Sequence, residues 1–338
     1  MSTLGPFPPS FNATMAARRP PPGHVVISLA ALLLLAREAH ALAANARPNP
    51  SGLRISLLVP CTPAHFGPLN RTLSAYAAGV VHPDEVIVSL SGSADGRARV
   101  ARSRVERLRG TFARVFSRVV LLEHAGERSA GENRNAAGAH ASGDVLVFSD
   151  ADDVPHPQRL AVLAHWFAKE PAVQMLHHTW VRSTASFRPW TERELGAVRR
   201  VSPGELARAF DVHCAERYPP VVARAMVSRT RSRLLAPEML TQMPVFQPLR
   251  TAAPIHTGNL ALRREVLARV RWPTFREAGE DKAFSWSVVA QLRAAIVIEV
   301  PLVCYCESRL AAACSSACAP VGVGIDSVDV SRWPTLGR

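Results

Sequence analysis

The sequence predicts an α/β fold, with a mainly parallel, doubly wound sheet flanked by helices in one large domain. Two observations carry this. Short apolar runs rich in β-formers recur at 54–60, 85–90, 118–122 and 145–148, and stretches with helical apolar spacing separate them. Such alternation is the pattern of a parallel sheet covered on both faces. A length of 338 residues, 48% apolar and 20% charged, supplies enough chain for a sizeable core.

Residues 1–23 are rich in proline and small polar residues and read as a disordered leader. Residues 24–46 contain the uncharged run Val25–Ala36, followed by Ala41-Leu-Ala43. Twelve apolar residues are short of the ~20 a membrane span needs. The run fits a signal peptide cleaved near Ala43, a signal anchor lengthened by the Ala-rich continuation, or a buried helix. Either of the first two sends the rest of the chain into the secretory lumen, to a Golgi or ER membrane or outside the cell. Residues 47–53, with two prolines, read as a short stem.

The folded part is expected over 54–310. Arg54–Pro60 is a buried-strand pattern ended by proline, Phe66–Gly79 has helical spacing, and Glu85–Leu90 is a second strand. Arg97–Leu108 reads as an Arg-rich helix, Arg118–Leu122 as a third strand and Ser129–Ala141 as a helix leading to the Gly143-Asp144 turn. Val145–Phe148 is a fourth strand. Directly after it come Asp150, Asp152 and Asp153. Ligands collect at the carboxyl ends of parallel strands, and crowded carboxylates there are relieved by a cation. A solvated acidic turn, or a helix N-cap from Asp152 or Asp153, is the plain alternative.

Gln158–Lys169 reads as a helix and Val173–Val181 as a strand carrying His177 and His178, whose side chains must point to opposite faces. Regular patterning fades from Thr184 to Thr251. A helix, Lys282–Leu292, and a strand, Ala295–Val300, close the domain, and 311–338 is a loose cysteine-containing tail.

The formal charge of +13 invites a nucleic-acid or anionic-membrane reading. The arginines, however, are spread along the chain and no nucleic-acid-binding motif accompanies them, so no nucleic-acid partner is expected. Four of the six cysteines cluster as Cys304-x-Cys306 and Cys314-x-x-x-Cys318, a spacing that favours disulfides or thiols over zinc. Asn70-Arg-Thr72 is a glycosylation sequon.

Three segments coincide in order: Asn133-Arg134-Asn135 through Asp150-Ala-Asp152-Asp153, then Gly258-Asn-Leu-Ala-Leu-Arg-Arg-Glu-Val-Leu267, then Gly279-Glu280-Asp281. Together they resemble the glycosyltransferase family 2 domain, of GT-A type, with a Rossmann-like sheet. The resemblance spans roughly Ile55 to Ser308. It implies an inverting, metal-dependent transfer of a sugar from a nucleotide donor, usually UDP-linked, to a glycan, protein or lipid hydroxyl, and the lack of a Q-x-x-R-W segment points to a non-processive enzyme. It divides the domain into a nucleotide-sugar half, 54–153, and an acceptor half, 154–310.

By the same resemblance Asp150 and Asp152 hold Mn²⁺ or Mg²⁺ against the donor diphosphate. Asp281 is the general base, and Glu280 binds acceptor or orients the helix start. Arg134 contacts the diphosphate or bridges to the acidic turn, a surface arginine being its plain alternative. Pro60, Thr62 and Ser91 match positions that embrace the nucleobase and ribose. There the chain departs from the family: Ser89-Leu-Ser91-Gly stands where acidic residues are usual. Moreover, no histidine follows His256. A non-catalytic sugar-nucleotide or glycan-binding relative, and a nucleotidyltransferase, are the competing readings. The latter should carry a Gly-rich phosphate loop after the first strand, and Cys61–Gly67 is not one.

Overall fold

The computed structural model describes residues 49, 51–92, 100, 102–182, 188–217, 257–275 and 279–306. The expectations for 1–48, Cys314, Cys318 and 311–338 lie outside the described residues. Among those described, no helix is long and apolar enough to cross a membrane.

One sheet runs through the molecule. Its parallel half contains β1 (Ile55–Cys61), β2 (Glu85–Leu90), β3 (Val119–Glu123) and β4 (Val145–Phe148) in the order β3-β2-β1-β4. The sheet continues through β8 (Leu260–Arg263), β6 (Met175–Arg182), β9 (Ala295–Tyr305) and β5 (Val154–Pro155), and β7 (Arg200–Val201) adds to β9. β6 and β9 are parallel to each other, whereas β8 runs antiparallel to both β4 and β6. The longer ladders are parallel, as expected. The antiparallel β8 and the two-residue β5 and β7 were not expected, because runs so short carry no readable period.

Alternating side chains of the parallel strands feed two cores. Leu57, Val59, Val86, Val88, Val145 and Val147 face one, while Leu58, Ile87, Leu146 and Phe148 face the other. On the first face pack α1 (Phe66–Ala77), α2 (Arg102–Phe112) and α4 (Arg159–Lys169). On the second lie α3 (Ala130–His140), α6 (Pro203–Arg217), α7 (Val266–Arg269) and α8 (Glu280–Leu292), and α5 (Glu192–Gly196) caps the first core through Leu195. The two expected halves share this sheet, since β4 pairs with β8.

Several boundaries move. β1 does not stop at Pro60: it continues to Cys61, with Pro60 in register with Ser89. α2 begins at Arg102 and ends at Phe112, because Val105, Leu108 and Phe112 form its buried stripe. β9 runs on to Tyr305. The stretch without clear patterning contributes α5, β7 and α6 before its remainder leaves the described residues. Cys304 is disulfide-bonded, whereas Cys306 beside it is not.

Candidate active site

At the carboxyl end of β4 the chain leaves the sheet through Ser149, whose N–H still donates to Leu58 O at 3.1 Å. The acidic turn that follows is held by its backbone. The Thr72 hydroxyl lies 2.9 Å from Ala151 O and 2.7 Å from Asp153 O, and Arg71 Nη2 donates to Asp152 O at 2.8 Å. Thr72, the third residue of the sequon, is therefore buried with its hydroxyl committed to this turn. Helix α4 starts later, with Gln158 at its N-cap and no side-chain cap, so neither Asp152 nor Asp153 is a helix cap.

The three carboxylates separate by environment. Asp150 and Asp152 are partly exposed, whereas Asp153 is 1% exposed and accepts from Cys306 N at 3.1 Å. Burial, then the charge of Asp150, pushes the Asp152 carboxyl above its usual range. Burial and both neighbouring aspartates push Asp153 further in the same direction. The nearby Cys61 thiol is pushed up to about 12, first by burial and then by Asp152, which leaves it inert as a nucleophile.

Helix α3 aims three consecutive residues at three partners. It opens with a capping box in which Ser129 Oγ accepts from Glu132 N at 3.1 Å and Glu132 accepts from Ser129 N at 2.7 Å. Gly131 is required there, since a Cβ would sit 1.8 Å from Pro273 O. Asn133 accepts from Ser89 Oγ at 3.0 Å, and Asn135 clamps Trp272 by donating to its carbonyl at 2.9 Å and accepting from its N–H at 3.0 Å. Between them, Arg134 is 3% exposed and lies 4.9 Å over the Trp272 ring. It is no surface arginine.

Arg134 joins the two distant acidic motifs. Its Nη2 donates to Asp150 Oδ1 at 3.2 Å and its Nη1 to Glu280 Oε1 at 3.0 Å. Glu280 and Asp281 form the first turn of α8, entered through Gly279 at φ 108°. That left-handed backbone is open to glycine at little cost. Trp272 stacks on Phe284 of the same helix at 3.8 Å between ring centroids and so supports its start. Burial raises the Asp281 carboxyl to about 6, and Glu280 adds to the rise. Arg134 opposes that rise and Asp150 reinforces it, so Asp281 lies within electrostatic reach of the strand-end group.

The edge expected to take a nucleobase is less uniform. Ser91 is buried, and both its N–H (3.0 Å) and its hydroxyl (3.4 Å) point to Cys61 O. It lines a cleft of about 600 Å³ with Leu90, Gly92, Arg102, Glu123 and His124. Pro60 lies inside β1, and Thr62 is the N-cap of the 3-10 turn Pro63–His65; neither lines this cleft. The carboxylate among the described residues that line this cleft is Glu123, at the end of β3. Sequence reading missed Glu123 because a lone acid closing a strand has no distinguishing pattern.

A model of glycosyl transferase family 2 matches residues 57–269, more than half of the chain. The chain belongs to that family. Sequence comparison with curated proteins gives no significant match. Solved structures of similar fold are found at low identity. Staphylococcus aureus TarS 1–349 in complex with UDP-GlcNAc is 14% identical, with 75% of this chain and 59% of that chain covered, at a TM-score of 0.45. Pyrobaculum calidifontis mannosyltransferase PcManGT in complex with GDP-Man and Mn²⁺ is 21% identical (80% and 62% covered, TM-score 0.43). Mycobacterium tuberculosis glucosyl-3-phosphoglycerate synthase, with Mn²⁺, UDP-Glc and phosphoglyceric acid, is 17% identical (82% and 79% covered, TM-score 0.42). The chain thus spans about three fifths of the TarS fragment and of PcManGT.

This family-2 chain offers a cation hard oxygen donors. Among the described residues no group of three or more His, Cys, Asp or Glu converges as a complete ligand set. Two partly exposed carboxylates, Asp150 and Asp152, still fit Mg²⁺ or Mn²⁺, which take one or two carboxylates and fill the remaining shell with phosphate oxygens and water. His177 and His178 do not join them. His177 Nε2 sits 2.9 Å from Ser285 Oγ, and His178 Nε2 accepts from Arg159 Nε at 3.1 Å on the opposite face.

Proposed function

We propose that the protein is a metal-dependent, inverting glycosyltransferase that moves a sugar from a nucleoside-diphosphate donor to an acceptor hydroxyl. The observation that carries this reading is the Arg134 bridge. It gathers Asp150, at the end of β4, and Glu280, beside Asp281, around one edge of the sheet.

Asp281 serves as general base. A carboxyl raised to about 6 is ionised at neutral pH yet more basic than an ordinary aspartate. It takes the proton of the acceptor hydroxyl as that oxygen bonds to the anomeric carbon and the bond to the diphosphate breaks. One displacement from the face opposite the leaving group inverts the centre. Asp150 and Asp152 would hold Mn²⁺ or Mg²⁺, which when bound neutralises charge on the departing diphosphate. Arg134 fixes Asp150 and presents a buried positive charge at the same edge. Glu280, held by Arg134, orients the first turn of α8. The cleft beside Ser91 takes the nucleobase, while Pro60 and Thr62, which do not line it, have no part in that contact. A UDP-linked donor and a glycan, protein or lipid acceptor complete the reading, with residues 24–46 directing the domain to the secretory lumen.

A donor screen tests the reading: thermal shift of the purified protein with Mn²⁺ and a panel of nucleotide sugars, followed by transfer assays of Asp152→Asn and Asp281→Asn. Stabilisation by one donor, abolished by chelation, is expected. Full transfer activity in both variants would sink the assignment.

A further inference from the structure

The charged residue buried most completely beneath the acidic turn has no part in the chemistry above. Arg159, in the first turn of α4, is 0% exposed. Its guanidinium reaches four separate elements. Nη2 donates to Phe148 O at 2.8 Å and to Gly258 O at 2.6 Å, Nε donates to His178 Nε2 at 3.1 Å, and Nη1 donates to the Tyr76 hydroxyl. His178 Nδ1 lies 2.8 Å from Thr179 O, which fixes the tautomer with Nε2 as acceptor. No carboxylate forms an ion pair with Arg159 among the described residues. Asp153 feels its charge without touching it.

A buried cation without a contacting anion is expensive to desolvate, and an apolar side chain would fill the same space at lower cost. What the arginine adds is geometry. Phe148 is the last residue of β4, two positions before Asp150, and Gly258 belongs to the turn that leads into β8. Tyr76 lies one helical turn beyond Thr72, whose hydroxyl already holds Ala151 O and Asp153 O. The planar fork therefore ties the end of β4, the turn that leads into β8, β6 and α1 together, and the Thr72 hydroxyl on that same helix α1 holds the acidic turn.

We propose that Arg159 is a positioning residue for Asp150 and Asp152, setting where their carboxylates meet the cation and donor diphosphate. This rests on the reading of the acidic turn as the cation-holding edge. The test is calorimetric titration of UDP and of GDP into the full chain, each with Mn²⁺ and again in EDTA, for wild type, Arg159→Lys, Tyr76→Phe and Asp152→Asn. Lysine keeps the charge but cannot reproduce the four-way fork.

In Arg159→Lys the Mn²⁺-dependent gain in affinity should fall about 10-fold or more, with metal-free affinity within about twofold of wild type. An unchanged gain, or an equal loss with and without metal, overturns the inference; the latter is what a merely structural role produces. Should Arg159→Lys fail to fold, Tyr76→Phe carries the test, with an expected loss of about twofold to fivefold in the same gain. No change there overturns the inference. A wild-type protein with no Mn²⁺ gain overturns the functional reading and this inference with it. A gain lost in Asp152→Asn but intact in Arg159→Lys overturns this inference alone.

Discussion

Glu85 at the amino end of β2 and the aspartates beyond the carboxyl end of β4 are acids at opposite edges of one sheet, and their surroundings differ in kind. Glu85 is 1% exposed and surrounded by donors. Ser56 Oγ reaches its Oε1 at 2.5 Å, Ser142 N at 2.5 Å and Gly143 N at 3.2 Å, and Arg118 pairs with Oε2. Burial alone would raise this carboxyl, but those hydrogen bonds together outweigh it and hold the group below its usual range. Asp152 and Asp281 are partly exposed, yet they stand above theirs because desolvation, reinforced by nearby acids, outweighs what donors relieve. A satisfied carboxylate closes a structure, whereas an under-compensated one is ready for a proton or a cation.

The largest expected effect comes from breaking the poised side. Asp281→Asn should lower turnover by about 10³-fold, the range of a lost general base, in an assay of nucleoside-diphosphate release. Its stability should change the other way. The folded carboxyl titrates near about 6, above the ordinary 3.8, so its stabilising share is complete below 3.8 and lost as pH rises through 6. The variant should therefore melt higher than wild type at pH 8 and match it below pH 3.8. In wild type the same group predicts activity that rises with pH through about 6, read from the acid limb of kcat/KM.

Next in size, Asp152→Asn should cost about 100-fold in Mn²⁺-dependent donor affinity while the fold persists, measured by titration calorimetry. Glu85→Gln sharpens the contrast from the other edge. It should destabilise the protein by about 2 kcal/mol in urea unfolding, with turnover per folded molecule unchanged. Because the folded Glu85 carboxyl lies below the ordinary 4.5, its share of stability is present above 4.5 and lost on acidification, so the deficit should shrink at low pH. The smallest effect is Gly279→Ala, where φ 108° strains a residue with a Cβ by about 1 kcal/mol and loosens the start of α8.

Much of the site was legible because its parts are local. The apolar run 145–148 with aspartates behind it, and Gly279-Glu280-Asp281 ahead of a helix, were legible as candidates through their resemblance, in this order, to the family-2 domain, since each alone reads equally as an acidic turn or helix start. Arg134 was legible as a bridge to the acidic turn, which it reaches at Asp150, but not as a link to Glu280, which lies 146 positions away. Glu123, Thr72 and Arg159 gave no signal. A strand-closing acid, a threonine inside a sequon and an arginine on an amphipathic helix each have an ordinary surface explanation.

The parallel core strands, the helices that cover them and the order of the acidic motifs are written in local sequence, because hydrophobic period and turn chemistry act over a few residues. The tertiary structure decided which acids are satisfied and which are poised, and it placed β8 antiparallel beside β4. It also decided that Arg159 lies under the acidic turn rather than on the surface. Burial and long-range hydrogen bonding are properties of neighbours in space, and no local pattern records them.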